Sequence, residues 1–258
     1  MSRAPESVYL KLRRAQEHHR ALEDEIAAFG KTNPYTVFPE VSHDRRQMAV
    51  KIAILSDPPS RLALLLGDCV HDYRSALDHL AFALPRVKGA DPKWEDWSQF
   101  PVCDASTKFE NVKRRYLCGV AGTTVTAVEE LQPYFGRHRP EGHGLWYLRE
   151  LSNLDKHRLS PLIYEEAAHG SIQAPRPPTG TSHIIFATGR QKHGATIAKI
   201  YLSDPAPPEM EVEINLTFGI TLGDMGVPDM EVLGVSVLLE RIHRGVVRAI
   251  CALEPLLT

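Results

Sequence analysis

Ionisable and polar residues are concentrated in one stretch of the chain, Asp68–His79, which reads DCVHDYRSALDH. At about 100° per residue on a helix, the polar residues of this stretch cluster on one side, with Arg74 at the edge. They are Asp68, His71, Asp72, Ser75, Asp78 and His79. Imidazole transfers protons near neutral pH, and a planar guanidinium holds a carboxylate or phosphate through two hydrogen bonds. Arg74 and His79 are therefore candidate catalytic residues, and His71 and Asp78 are candidate ligand-binding residues.

A second polar stripe lies in residues 145–158, which read LWYLRELSNLDKHR. It adds His157 as a third candidate catalytic residue, and it adds three candidate ligand-binding residues. These are Asn153, Asp155 and Lys156. If the two helices pack in one core, their polar stripes would flank a cleft. The alternative is that both stripes are ordinary solvated helix faces, one with an Arg74 to Asp78 ion pair worth a few tenths of a kcal/mol.

Hydrophobic periodicity predicts the elements that carry these stripes. Apolar residues at helical spacing predict a long helix from Ser60, as a possible N-cap, to about residue 84, and another over 144–157. Further helices are predicted at 6–28, 106–117, 123–131 and 229–253. Alternating or extended apolar patterns predict strands at 35–41, 47–54, 184–188, 196–202 and 210–220. The composition of residues 168–182, rich in Gly and Pro, predicts a long internal loop.

Together these elements predict the α+β class. About five helices would pack on an antiparallel sheet of about five strands, because hairpin-length links join the strands and the early hairpin is needed to complete a common sheet size. The chain has 258 residues, 43% of them hydrophobic and 24% charged, which is ordinary globular composition. We expect a single domain over residues 1–258.

Composition and motif content exclude several classes of function. The formal net charge of −2 gives no global basic field for nucleic acid. The sequence lacks the P-loop, dinucleotide-binding, zincin and nucleophile-elbow motifs. Its apolar runs are too short to span a bilayer, and the four scattered cysteines indicate a reducing compartment. The prediction is a cytoplasmic protein without membrane contact and without a cofactor.

The blocks GDCVHDYRSALDHLAFAL, QFPV, LQPY and LWYLRELSNLDKHR together resemble an uncharacterised bacterial protein family marked by RSALDH and DKHR blocks. The resemblance covers about the first two thirds of the chain. It makes Arg74, His79, Asp155, Lys156 and His157 the landmarks of that family. Since the family has no assigned activity, the resemblance implies one intact domain and no mechanism.

Two more specific hypotheses are alternatives to a binding or regulatory module. The pair Arg74 and His79 is similar to the Arg-x4-6-His motif of HEPN ribonucleases, helical dimers that cleave RNA without metal, although Arg14 with His19 matches the same spacing. Histidines and aspartates in the two stripes could instead hold a metal ion. The predicted partners are accordingly an unknown ligand or protein, with RNA and a second copy of the chain left open.

Overall fold

A computed structural model describes residues 4–135, 140–155, 162–173, 181–186, 192–207, 213–223 and 233–257. Seven helices lie in this part of the chain, one of them a single turn. They are α1 (Glu6–Gly30), α2 (Ser60–Ala83), α3 (Trp94–Trp97), α4 (Ser106–Tyr116), α5 (Gly122–Glu130), α6 (Gly144–Asp155) and α7 (Val235–Leu253). Among the described residues, no helix combines the length and the apolar character needed to cross a bilayer.

Six strands also lie in the described part of the chain. They are β1 (Tyr35–Val41), β2 (Gln47–Ile54), β3 (Leu162–Gln173), β4 (Thr181–Phe186), β5 (Thr196–Leu202) and β6 (Glu213–Leu222). Four of them form an antiparallel sheet in the order β1-β2-β5-β4, and β3 pairs with β6 in a second, two-stranded sheet. The early hairpin joins a late strand through β2 and β5, as predicted, but the described sheet has four strands rather than about five, because the strand predicted at 210–220 pairs with β3 instead. The α+β class is confirmed.

The helices α1, α2, α6 and α7 pack around shared apolar faces. Helix α2 contacts α1, α6 and α7, and α6 also packs on α7. Buried residues from these helices and from β2 and β5 belong to the same hydrophobic cluster. Burying large apolar side chains is the dominant favourable contribution to folding, so this cluster fixes where the polar residues of α2 can point. The single-domain organisation stays a prediction.

Some predicted boundaries need correction. Residues 168–173 belong to β3 rather than to a loop, because their backbone pairs with β6 despite the glycine at position 170. Residues 174–180 lie outside the described residues, as do 156–157, 187–188, 210–212 and 229–232. Ser60 is the first residue of α2 rather than its N-cap, which is Pro59 and makes no side-chain cap hydrogen bond. Helix α7 begins at Val235, later than the predicted residue 229.

Candidate functional site

Part of the polar stripe of α2 faces α1. Asp72 is buried, and its Oδ1 accepts a hydrogen bond from Lys11 Nζ at 2.8 Å. His18 lies beside both acidic residues of this end, with its Nδ1 3.9 Å from Asp68 and its Nε2 3.7 Å from Asp72. A buried carboxylate is stable only when it is paired. Asp72 therefore stabilises the packing of α2 on α1 through its partners Lys11 and His18.

Arg74 and Asp78 form a clamp on the chain after α3. Arg74 donates from Nε and Nη2 to the two carboxylate oxygens of Asp78, at 3.2 and 2.9 Å. The same Nη2 donates to the carbonyl oxygen of Phe100 at 2.7 Å, and Asp78 Oδ1 accepts the Phe100 N–H at 2.9 Å. The predicted i,i+4 ion pair is therefore present, and it also satisfies both backbone groups of Phe100.

The other blocks that carried the family resemblance reach the same segment. Gln132 of LQPY is fully buried; its Nε2 donates to the Pro101 carbonyl at 3.0 Å and its Oε1 accepts the Cys103 N–H at 2.9 Å. Arg149 donates to Asp104 at 3.0 Å and also to Glu150. Burial alone would raise the pKa of Asp104, but hydrogen bonds from Arg149 and Lys108 lower it. Three blocks thus hold residues 100–104.

Next to this clamp lies a cavity of about 800 Å³. Its lining consists of Pro5 just before α1, Ser7 of α1, four residues of α2, and Ser98 just after α3. The four residues of α2 are Asp78, His79, Phe82 and Ala83. The first turn of α1 is held in place by Glu254, whose Oε1 accepts the Ala4 N–H at 2.9 Å and the Tyr9 hydroxyl at 2.5 Å. The candidate residues Asp78 and His79 are therefore brought together in one concave site.

The cavity combines an apolar wall with a few polar atoms. Phe82 is 50% exposed, and its ring packs against Trp94 with 5.1 Å between centroids. His79 is exposed, and no described residue forms a hydrogen bond with its imidazole. Ser98 Oγ accepts a hydrogen bond from Arg86 Nη2 at 2.9 Å. Such a mixture can bind the ring of a small molecule and orient its polar groups.

The polar stripe of α6 contacts the first third of α2, far from the end of α2 that lines the cavity. Asp155 Oδ1 lies 2.5 Å from the point where a Cβ on Gly67 would stand. Gly67 precedes His79 by twelve residues, which corresponds to about 18 Å along a helix axis. Asp155 and the neighbouring Asn153, both exposed, therefore do not lie beside His79. Lys156 and His157, the remaining candidates of this stripe, lie outside the described residues.

His71 does not join the cavity either. It is exposed on α2, with its Nε2 3.5 Å from Ser75 Oγ. Within the described chain, no group of three or more His, Cys, Asp or Glu side chains is arranged to hold a metal ion. The predicted metal site therefore has no support from the part of α2 that carries His71, Asp72 and Asp78.

Sequence reasoning missed the cavity because it paired α2 with α6 rather than with α1. Lys11 and His18 are seven residues apart, which places them on the same side of a helix as Ala15 and Leu22. That spacing could have indicated that α1 carries the partners of Asp72. No sequence signal marked Ser98 or Phe82 as lining residues, because they become neighbours only when α3 folds back on the end of α2.

Comparison of the chain with protein-family models, with curated proteins and with solved structures finds no match. The candidate site therefore has to be interpreted from its own geometry.

Proposed function

We propose that this protein is a binding module and that its ligand is a small organic molecule held in the cavity between α1 and α2. The single observation that carries the proposal is the cavity of about 800 Å³ lined by Asp78, His79 and Phe82. Ligand sites in proteins are typically concave, about 300–1,000 Å³ in volume, and mostly apolar with a few placed polar groups. The cavity has these properties.

The charges around the cavity favour a ligand without a strong net charge. The carboxylate of Asp78 is already matched by the guanidinium of Arg74. An anionic ligand would meet this carboxylate, and a cationic ligand would compete with an arginine that is only 15% exposed. The aromatic wall formed by Phe82 instead favours a flat ring, which gains apolar burial and ring packing together.

Saturation-transfer NMR with indole, quinoline and benzimidazole as probes tests this proposal on the full chain. We expect the wild type to transfer saturation to at least one of these ring compounds. Ala83→Phe should abolish the transfer because the added ring occupies the cavity, and His79→Ala should weaken it. The matched control is His71→Ala, which removes an exposed histidine of the same helix that does not line the cavity.

Two results would refute the binding proposal. One is the absence of transfer to every probe in the wild type. The other is an equal loss of transfer in His71→Ala and Ala83→Phe, which would show that the probes bind elsewhere. Circular dichroism of each variant separates lost binding from lost folding, and the exposed positions of His71 and His79 predict unchanged melting for both alanine variants.

The ribonuclease hypothesis receives less support from this geometry. His79 is exposed and could transfer a proton, but the guanidinium of Arg74 is committed to Asp78 and to the Phe100 carbonyl. A phosphate would have to displace both contacts. We therefore expect the wild type to leave single-stranded RNA intact in excess EDTA. Cleavage that disappears in His79→Ala would restore the ribonuclease hypothesis instead.

A further inference from the structure

The polar atoms of the cavity differ in what they can still bind. Asp78 Oδ1 accepts two hydrogen bonds, from Arg74 Nη2 and from the Phe100 N–H. Among the described residues, Asp78 Oδ2 accepts a single hydrogen bond, from Arg74 Nε at 3.2 Å. A carboxylate oxygen has two lone-pair sites, so Oδ2 keeps one acceptor site. Asp78 is 30% exposed, and this side chain lines the cavity.

Ser98 supplies the complementary group. Its oxygen accepts a hydrogen bond from Arg86, so the hydroxyl proton is left to donate, and no other described residue accepts it. Ser98 lies two residues before Phe100, whose N–H is bound by Asp78. Asp78 and Ser98 both line the cavity, and the hydrogen bond from Phe100 to Asp78 ties the segment that carries Ser98 to α2.

Phe82 provides the surface that a ring would cover. Its ring is held by Trp94, and the guanidinium carbon of Arg86 lies 3.8 Å from the Trp94 ring centroid. Arg86 also donates to the carbonyl oxygens of Phe82 and Leu84 at the end of α2. The aromatic wall and the Ser98 hydroxyl are thus positioned by one side chain, which limits the geometry of any ligand between them.

We propose that the cavity selects a neutral, planar lactam, a fused heteroaromatic ring that carries an N–H donor next to a carbonyl acceptor. The lactam N–H donates to Asp78 Oδ2, the lactam carbonyl accepts the Ser98 hydroxyl, and the ring packs on Phe82. This inference rests on the proposed function and adds the ligand class to it. At Asp78 the ion pair with Arg74 compensates the carboxylate charge, so a neutral N–H donor is sufficient there.

Three related probes test the ligand class by titration calorimetry and ligand-observed NMR on the full chain. Quinazolin-4(3H)-one carries both lactam groups, its N3-methyl derivative lacks the donor, and quinoline lacks the lactam. We expect the N-methyl compound and quinoline to bind at least about tenfold more weakly, because a site built around hydrogen bonds rejects analogues that leave its polar groups unpaired. Ser98→Ala should reduce the preference for quinazolinone over quinoline while ring binding persists.

The outcomes separate this inference from the proposed function. Equal affinity for all three probes, or a preference that is unchanged in Ser98→Ala, would overturn the lactam class while the binding module stands. If none of the three probes nor the simple ring compounds bind, both proposals fail. Ser75→Ala is the matched control for Ser98→Ala, since it also removes one hydroxyl but outside the cavity lining, and its probe preference should equal that of the wild type.

Discussion

Arg74 illustrates how a residue with catalytic chemistry can serve a structural role. Its guanidinium binds the Asp78 carboxylate and the Phe100 carbonyl oxygen, and the side chain is 15% exposed. We predict that Arg74→Ala lowers the free energy of unfolding by about 1–3 kcal/mol, because it leaves a half-buried carboxylate and a backbone carbonyl short of partners. Urea unfolding followed by circular dichroism measures this loss.

Arg14→Ala is the control for that measurement. Arg14 pairs with Glu17, but the two side chains are 59% and 57% exposed. Exposed ion pairs contribute about 0–1 kcal/mol, so this variant should unfold at nearly the same urea concentration as the wild type. If Arg74→Ala were equally neutral, the clamp on residues 100–104 would not stabilise the fold.

His143 gives the molecule a measurable pH dependence. Burial, together with the positive charge of Arg248, lowers the pKa of His143, and its Nδ1 accepts the Leu145 N–H at 3.2 Å. The unfolded chain then binds the proton more readily than the folded chain. The stabilisation is complete above the ordinary histidine pKa of about 6.5 and is lost as the pH falls below it.

The variant His143→Asn isolates this contribution, because asparagine keeps a side-chain acceptor for the Leu145 N–H and has no titrating proton. Between pH 7.5 and 5.5 the melting temperature of the wild type should fall more than that of the variant. The variant should keep a weaker pH dependence of its melting temperature, because burial also lowers the pKa of His243. Parallel pH curves for the two proteins would contradict the assignment to His143.

At the scale of secondary structure, the contact between α6 and α7 depends on a glycine. A Cβ on Gly144, the first residue of α6, would overlap the carbonyl oxygen of Arg241 in α7. Backbone atoms cannot yield as a flexible side chain can, so Gly144→Ala should destabilise the protein by about 1–3 kcal/mol or more. Thermal unfolding of Gly122→Ala provides the control, since its added methyl group would meet no atom within 4 Å beyond its own stretch of helix backbone.

Most helices and strands followed from the sequence, but α3 and β3 were not predicted, and the helix that covers the polar stripe of α2 was not identified. Alternation in Gln47–Ile54 predicted β2 and its hairpin partner β1, because a half-buried strand must alternate. The polar stripe of α2 was also recognised. Periodicity, however, shows which face of a helix is polar and not which neighbour covers it, so the contact with α1 through Lys11 and Asp72 was missed.

The candidate site was predicted only in part for the same reason. Asp78 and His79, which are adjacent on α2, were among the candidate residues, and both line the cavity. Phe82 and Ser98 do not belong to any recognisable sequence motif. They become neighbours only because α3 packs against the end of α2. Local spacing carries no information about such a contact.

At the scale of the whole molecule, the shared hydrophobic cluster predicts cooperative unfolding. Buried residues of β2, such as Val50 and Ile52, belong to the same cluster as those of α2 and α7. We expect differential scanning calorimetry to show one transition whose calorimetric and van't Hoff enthalpies agree. Ile52→Ala should shift that whole transition to lower temperature. Two separate transitions, of which the variant moves only one, would show that the helices and the sheet unfold independently.

The cavity between α1 and α2 is the central claim, and a crystallographic fragment screen of the full chain tests it most directly. Small ring compounds soaked into crystals report where the surface binds them, without assuming any ligand. The account predicts that the fragments collect in the cavity, with rings on Phe82 and polar atoms within hydrogen-bond distance of Asp78 or Ser98. Fragments that collect elsewhere, with this cavity empty although crystal contacts leave it open, would contradict the account.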